Sequence, residues 1–558
     1  MTHQRLHRLI FILNWLFFCS LIQAEPSSAG RGVAFDLQGF INQQIQAGKK
    51  NIVVPPGSYR VTPRGGQHLA LRNLQDIQIV ADGVEMICTE TTTALNISHC
   101  TNVTVRGLVI DYDPLPFTQG RITSFSADKK SAEVELFDGY PAAESAINFK
   151  YEIFRPDTRT LRCSDRYVKN IEVVDSRHLR LNTPNEHSDS PEQVGDLIVI
   201  GSEHAPHGNA AHAVTCDHNV NVRLENIDLF ASNCFGFIEN NCDGSTYYRC
   251  RIDRRPAADD LVKRADPRLR SLNADAFHSS EAVKGPAYIE CVAKFMGDDC
   301  VNIHGRYEMV TASTGAVLRV AVPGKISLAV GDPVEFLPFT GERPPDAVIK
   351  KIAPDGPVTS GEKAFIQRLG LVQGIKERML NGGATCYQVT LDRPTTLPQG
   401  SLIAAANHLG DGFLVKGCDF GCNRSRGILI KASHGQVIDN TITQSWMAAV
   451  LVAPEFYWFE AGSSSDVTIS GNKIIGCRQP AIEVVANGGN GKPLASGAHS
   501  DISIFNNIIT KSVWPNIRVT STARLVVRNN QLTPGQPGAR NTPISIEDCR
   551  RPELQSLP

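Results

Sequence analysis

The stretch Asp501-Ile502-Ser503-Ile504-Phe505-Asn506-Asn507-Ile508-Ile509-Thr510 holds the phrase on which the fold turns. Ile502 and Ile504 alternate with polar neighbours, as in a strand with one buried face. Two asparagines interrupt, and Ile509 restores the apolar face seven positions after Ile502. Asparagine tolerates the left-handed backbone that a sharp bend between short strands requires. The phrase recurs at Val103, Val105 and Ile110, at Val222, Leu224 and Leu229, at Val467, Ile469 and Ile474, and at Leu525, Val527 and Leu532. Asn226, Asn472 and Asn529-Asn530 mark the bend in these copies. Successive copies lie 502 − 467 = 35 and 525 − 502 = 23 residues apart. A period of that order, in units that cannot bury an apolar face alone, describes a solenoid. The reading is all-β: a right-handed parallel β-helix. A sandwich of the immunoglobulin kind would show turns roughly every 8–12 residues.

Outward from the repeat, the N-terminal flank supplies a cap. Val33, Leu37, Phe40, Ile41 and Ile45 fall on one helical face, and Gly48 ends the pattern. An amphipathic helix over 33–49 would cover the open edge of the first rung. With the strand-like 51–54 and the Pro55-Pro56-Gly57 turn, it resembles the opening of pectate-lyase-like β-helices. Two long stretches, 114–200 and 307–406, break the repeat. They share the phrases Val194-Gly195-Asp196-Leu197 and Val330-Gly331-Asp332-Pro333, which predicts two related small antiparallel β-barrels inserted in the helix. The expected plan is a signal peptide at 1–24 and N-terminal rungs with the capping helix at 25–113. Barrel 1 follows at 114–200, central rungs at 201–306, barrel 2 at 307–406 and C-terminal rungs at 407–558.

Composition narrows the function classes. The 558 residues carry 56 Lys and Arg against 57 Asp and Glu, so no basic stripe suggests a nucleic-acid partner. Arg5 and Arg8 precede an apolar run at 9–22, with Ala24 as a cleavage point. That is an export signal, implying a secreted or periplasmic chain with no membrane partner after cleavage. Fifteen cysteines become fourteen once Cys19 leaves with the signal, and buried free thiols between rungs are expected over disulfides. No cofactor or metal is expected. Cys418 and Cys422 lack a second pair, and His204, His207 and His212 lie in a Gly/Ala-rich loop without an evident carboxylate partner. Oligomeric state is not legible.

The chemistry gathers in Asn273-Ala274-Asp275-Ala276-Phe277-His278 and Met296-Gly297-Asp298-Asp299-Cys300-Val301-Asn302-Ile303-His304. The lone aspartate precedes the pair by 298 − 275 = 23 residues, one turn of a coiled sheet, so Asp275 and Asp298 are expected as neighbours on one face. Adjacent strand residues point to opposite faces, so both members of the pair reach one cleft only if Gly297 permits a bend. Three crowded carboxylates cannot all ionise freely, so one should hold a proton at neutral pH. An acid and a base side by side are what glycosidic cleavage needs. Asn273, His278, Asn302 and His304 are placed to hydrogen-bond sugar hydroxyls.

The pattern N-A-D-A-x-H, a gap, then D-D-x-x-N-x-H-G resembles the signature of the α-1,3-galactosidases of glycoside hydrolase family 110. So does the run Pro454-Glu455-Phe456-Tyr457-Trp458-Phe459-Glu460. Phe277 and Cys300 depart from it, standing where smaller residues are expected. The resemblance implies exo-hydrolysis of terminal α-linked galactose from an oligo- or polysaccharide, with inversion. By it, and by likeness to the polygalacturonases, Asp298 is the acid while Asp275 and Asp299 share the base role. Trp458 would stack on a sugar face, and Glu455 and Glu460 would bind hydroxyls. Arg426 and Lys431 suggest the cation pair that polygalacturonases turn on a uronate. An endo-hydrolase of acidic polysaccharide is therefore one alternative, and a non-catalytic sugar-binding β-helix or adhesin is another.

Overall fold

The computed structural model describes residues 32–554 apart from 164–165, 183–191, 203–209, 382, 534 and 536–541. The expected signal segment, His204 and His207 lie outside the described residues. The repeated phrases become rungs of a parallel β-helix. Val105 pairs in parallel with Leu224 and Leu224 with Tyr247. Further along, Ile469 pairs with Ile504 and Ile504 with Val527. All of these side chains are buried in one continuous core. A 23-stranded sheet carries both limbs of each phrase, and a 12-stranded sheet forms a second face. Phe277–Ser280 and Val301–Arg306, which follow the aspartate segments, lie in that second sheet.

The bends work as their asparagines suggest. Asn226, Asn506 and Asn529 have φ of 52°, 57° and 54°. The residue after each left-handed bend turns inward, and in the C-terminal rungs it is asparagine again. The Oδ1 of Asn472, Asn507 and Asn530 each accepts both the backbone N–H and the side-chain amide of the asparagine one rung before, at 2.9–3.1 Å. The same position in the preceding rungs holds Cys250, Cys291 and Cys418, whose thiols donate to carbonyls of Leu224, Tyr247 and Tyr288 at 3.3–3.5 Å. All cysteines among the described residues are free thiols.

The cap is shorter than its apolar face suggests. Helix α1 spans Leu37–Gln46, because Asp36 accepts the N–H of Gly39 and starts it there. Val33–Ala34 instead pair with Tyr59–Arg60 as a parallel strand, leaving Val33 64% exposed.

The inserts fold as antiparallel sheets. Six strands between Glu308 and Ala405 close into a barrel, with helices α2 (Ser360–Gln367) and α3 (Gln373–Leu380) on one of its connections. The earlier insert departs from the expected pair of barrels, since its seven strands between Phe117 and Gly201 show no closing ladder among the described residues. Its edge strands, Arg166–Tyr167 and Asn170–Asp175, follow each other in the chain. Val168 between them donates to Phe149 O, just before the neighbouring strand Lys150–Phe154, and Lys169 to Asn182 O of the neighbouring strand His178–Asn182. One bent segment thus joins the two edges. The shared phrase forms the same turn in both inserts. The Oδ2 of Asp196 and of Asp332 accepts the N–H three residues before it, at 2.8 and 2.7 Å. Gly195 and Gly331 take φ of 96° and 100° there, which favours glycine.

Candidate active site

Register places the aspartates. Phe277 pairs with Val301 and Val301 with Ile428, so the residues two positions before each stack as Asp275, Asp299 and Arg426. The neighbour of Asp275 is therefore Asp299, whose N–H donates to Asp275 Oδ1 at 3.1 Å. Asp298, expected in that place, stands beside the column, and its carboxylate pairs with Arg424. All three converge even so: each offers an oxygen within 4.8 Å of the others. Both segments lie in bends just before their strands, which frees adjacent side chains from strict alternation. The left-handed residue is Phe295 at φ 61°, not Gly297. Gly297 is needed for close approach, because a Cβ there would meet Glu152 Oε1 at 2.4 Å and Asn273 O at 2.5 Å.

The electrostatics of the nest are uneven. Burial pushes the Asp299 carboxyl well above the usual carboxylate range; Arg426 opposes this, while Asp275, Asp298 and Glu455 reinforce it. Asp299 is thus the carboxyl of the three whose hold on a proton is raised most. Its carboxylate still accepts the N–H of Arg426 at 2.7 Å and faces that guanidinium at 3.1 Å. Asp298 is the most open of the three, with its side chain 15% exposed against 5% and 3% for Asp275 and Asp299. Asp275 Oδ2 meets His278 Nδ1 at 2.7 Å. The carboxylates would admit a cation by spacing alone. Arg424 and Arg426 already supply positive charge to this nest, so we assign no metal ligands here.

The charged side chains run on into a paired network. Arg426 also contacts Glu455 at 3.2 Å. Lys431, fully buried, bridges Glu455 at 3.1 Å, Glu460 at 2.8 Å and Asn302 Oδ1 at 3.0 Å. Burial would raise Glu460, but Lys431, His304 and His278 hold it well below the usual range. Arg426 and Lys431 are thus neutralised by protein carboxylates, which removes the cationic groove that a uronate would need. Asn273 Oδ1 is likewise taken by Arg270 at 3.2 Å, and Asn302 Nδ2 donates to Glu460 at 3.2 Å. In this structure Asn273, His278, Asn302 and His304 are buried and brace the carboxylates. Trp458 is 39% exposed and Tyr457 41%, on a one-turn helix between Glu455 and Glu460. Phe277 and Cys300 are fully buried in the core, so their bulk faces away from the cleft.

Both inserts reach this site. From the first, Lys150 Nζ donates to Asn273 O at 3.0 Å and Gly297 O at 2.8 Å, tying the two aspartate turns together. Glu152 pairs with the buried Arg270 at 3.2 Å. From the second, Leu369, Leu371 and Ile375 share a core with Phe456 and Phe459, and Val372 N–H donates to Tyr457 O at 3.1 Å. Lys150, Glu152, Arg270 and Arg424 escaped the sequence reading. Only Arg424 had a signal, its place two residues before Arg426.

Residues 403–541 match a family model described as a right-handed β-helix region. The chain is 22% identical over 478 residues to an α-1,3-galactosidase B of Bacteroides thetaiotaomicron, covering 78% of this chain and 72% of that protein. It is 22% identical over 561 residues to an α-1,3-galactosidase A of Bacteroides fragilis, covering 89% and 84%. Among solved structures, the A-module of mannuronan C-5 epimerase AlgE4 from Azotobacter vinelandii aligns over 95% of this chain and 98% of its own. That alignment has 11% identity and a TM-score of 0.41.

Proposed function

We propose that this chain is an exo-acting, inverting α-1,3-galactosidase whose acid and base are drawn from Asp275, Asp298 and Asp299. The chain is a glycoside hydrolase of α-1,3 linkages by its kinship, over most of its length, with curated α-1,3-galactosidases. The single observation that carries the site assignment is the convergence of three carboxylates, one of them raised well above the usual range by burial, where the central rungs turn. Asp298, the most open, is placed to meet the glycosidic oxygen. Asp299, whose carboxyl is raised by burial, stands within the same nest. Asp275 and Asp299 take the base role toward the attacking water.

Acid and base in inverting enzymes usually stand about 6.5–9.5 Å apart, with sugar and water between. Here the nearest oxygens are closer. The spacing carries no argument for inversion, which rests on the family resemblance. Following the anomer first released from an aryl α-galactoside by NMR tests it: β-galactose supports inversion, and α-galactose refutes it. The acid is identified by leaving-group dependence. Asp298→Asn should spare activated aryl galactosides relative to an α-1,3-linked disaccharide. If Asp299→Asn does so instead, the two roles exchange.

A further inference from the structure

His304 takes no part in the pairing of the aspartates, yet it fixes what one of them can do. Its Nδ1 lies 2.7 Å from the carbonyl oxygen of Gly305, which only accepts, so that nitrogen carries a hydrogen. Burial, with His278 and Lys431 nearby, pushes the His304 imidazole down to about 4 despite Glu460. The ring is therefore neutral at ordinary pH, and its Nε2 is bare. That bare nitrogen lies 2.9 Å from His278 Nε2, which must donate to it. The other nitrogen of His278, Nδ1, lies 2.7 Å from Asp275 Oδ2, and a bond of that length also needs a proton between its atoms.

We infer that His304 is a positioning residue that loads the Asp275–His278 pair with one proton more than a carboxylate beside a neutral imidazole would carry. The pair is then neutral overall. It exists either as carboxylate with imidazolium or as carboxylic acid with neutral imidazole. Other groups facing it are Asp299 from the next rung, Glu460 at 4.0 Å from His304 Nε2, and Lys431, which bonds Glu460. On the remaining side the Phe235 ring stacks on His278 at 4.4 Å, and His212 stacks on Phe235 at 4.9 Å. The consequence lies in the nest. A neutral pair next to Asp299 repels its ionised form less than a bare Asp275 carboxylate would, so the carboxyl titrates lower than it otherwise must.

The inference uses the proposed hydrolase reading only for its kinetic test. A neutron structure of the intact chain at neutral pH is the direct one. Deuterium on His278 Nε2 and His304 Nδ1, with a third between His278 and Asp275, is expected. A bare His278 Nε2 overturns the inference whatever the enzyme's activity. The kinetic test compares His304→Gln, whose amide oxygen can accept from His278, with His304→Leu, which cannot. In the leucine variant His278 gives up its extra proton and the pair becomes negative. The limb of kcat/KM set by the Asp299 carboxyl should then move up by about one pH unit, while the glutamine variant keeps the wild-type limb. Identical limbs in the two variants overturn it.

Discussion

Asn440, Asn472, Asn507 and Asn530 stack rung upon rung at one bend of the C-terminal solenoid. Asp275, Asp299 and Arg426 stack in the same manner where the central rungs turn. Both columns bury polar side chains about 4.8 Å apart, the spacing of paired strands. In the asparagine column every amide is donor and acceptor at once, so each residue satisfies the next and nothing is left over. In the aspartate column two carboxyls meet; burial and crowding raise Asp299, and the cation on Arg426 opposes them. A neutral ladder gives stability. A column of carboxyls strengthens the hold of one of them on a proton, which acid–base chemistry needs.

The contrast is broken most severely by taking the charge away. Asp298→Asn and Asp299→Asn should each lower kcat/KM on α-galactosides by about 10²–10⁴-fold, the range for losing an acid or base. Asp299→Asn should also raise the melting temperature at neutral pH. The folded chain holds this carboxyl above its usual range, whereas the unfolded chain ionises it normally. Wild-type stability therefore falls as pH rises through the unfolded value, and the advantage of the variant should vanish below about pH 4. Melting curves at several pH values check the sign. A variant that is less stable at neutral pH would show that the pairing with Arg426 outweighs the crowding.

Lys150→Met comes next. It removes the tie between the two aspartate turns, and a displacement of about 1 Å at the chemistry can cost up to 10²-fold. Steady-state kinetics should show kcat falling by about 10- to 100-fold with KM little changed. An equal rise in KM would make the lysine a substrate-binding group. Asn507→Ala is the mirror experiment in the other column. It should cost about 1–3 kcal/mol in denaturant melts by leaving amides of Asn472 and the neighbouring backbone unpaired, with kcat unchanged at permissive temperature. The smallest effect is expected at Trp458→Ala, a few-fold rise in KM from the lost ring face. Unaltered kinetics would leave Trp458 without a part in sugar binding.

How far the sequence could be read follows from the same geometry. Ile502, Ile504 and Ile509 announce rungs because core burial has a period that survives in the chain, and the asparagines announce bends because few residues tolerate them. The aspartate segments were legible as clustered acids on neighbouring rungs. Their pairing was not, because a 23-residue gap points to Asp298 while the ladder, set by Phe277 against Val301, matches Asp275 with Asp299. The bend that allows it sits at Phe295, a residue with no left-handed signature in its type. Lys150 lies 123 residues from Asn273, in an insert with its own core, so no periodicity connects them. The closure of the two inserts differs for a related reason: a shared turn phrase encodes a turn, not which edge strands meet.

The central claim is that three stacked-rung aspartates split a sugar linkage. Its most direct test is galactose release from an α-1,3-linked galactosyl disaccharide by the intact chain, beside folded Asp298→Asn and Asp299→Asn proteins. Release by the wild type, lost from Asp299→Asn and reduced at least a hundredfold in Asp298→Asn, is the expected result. Undiminished release by either folded variant, or none from the wild type, would contradict it.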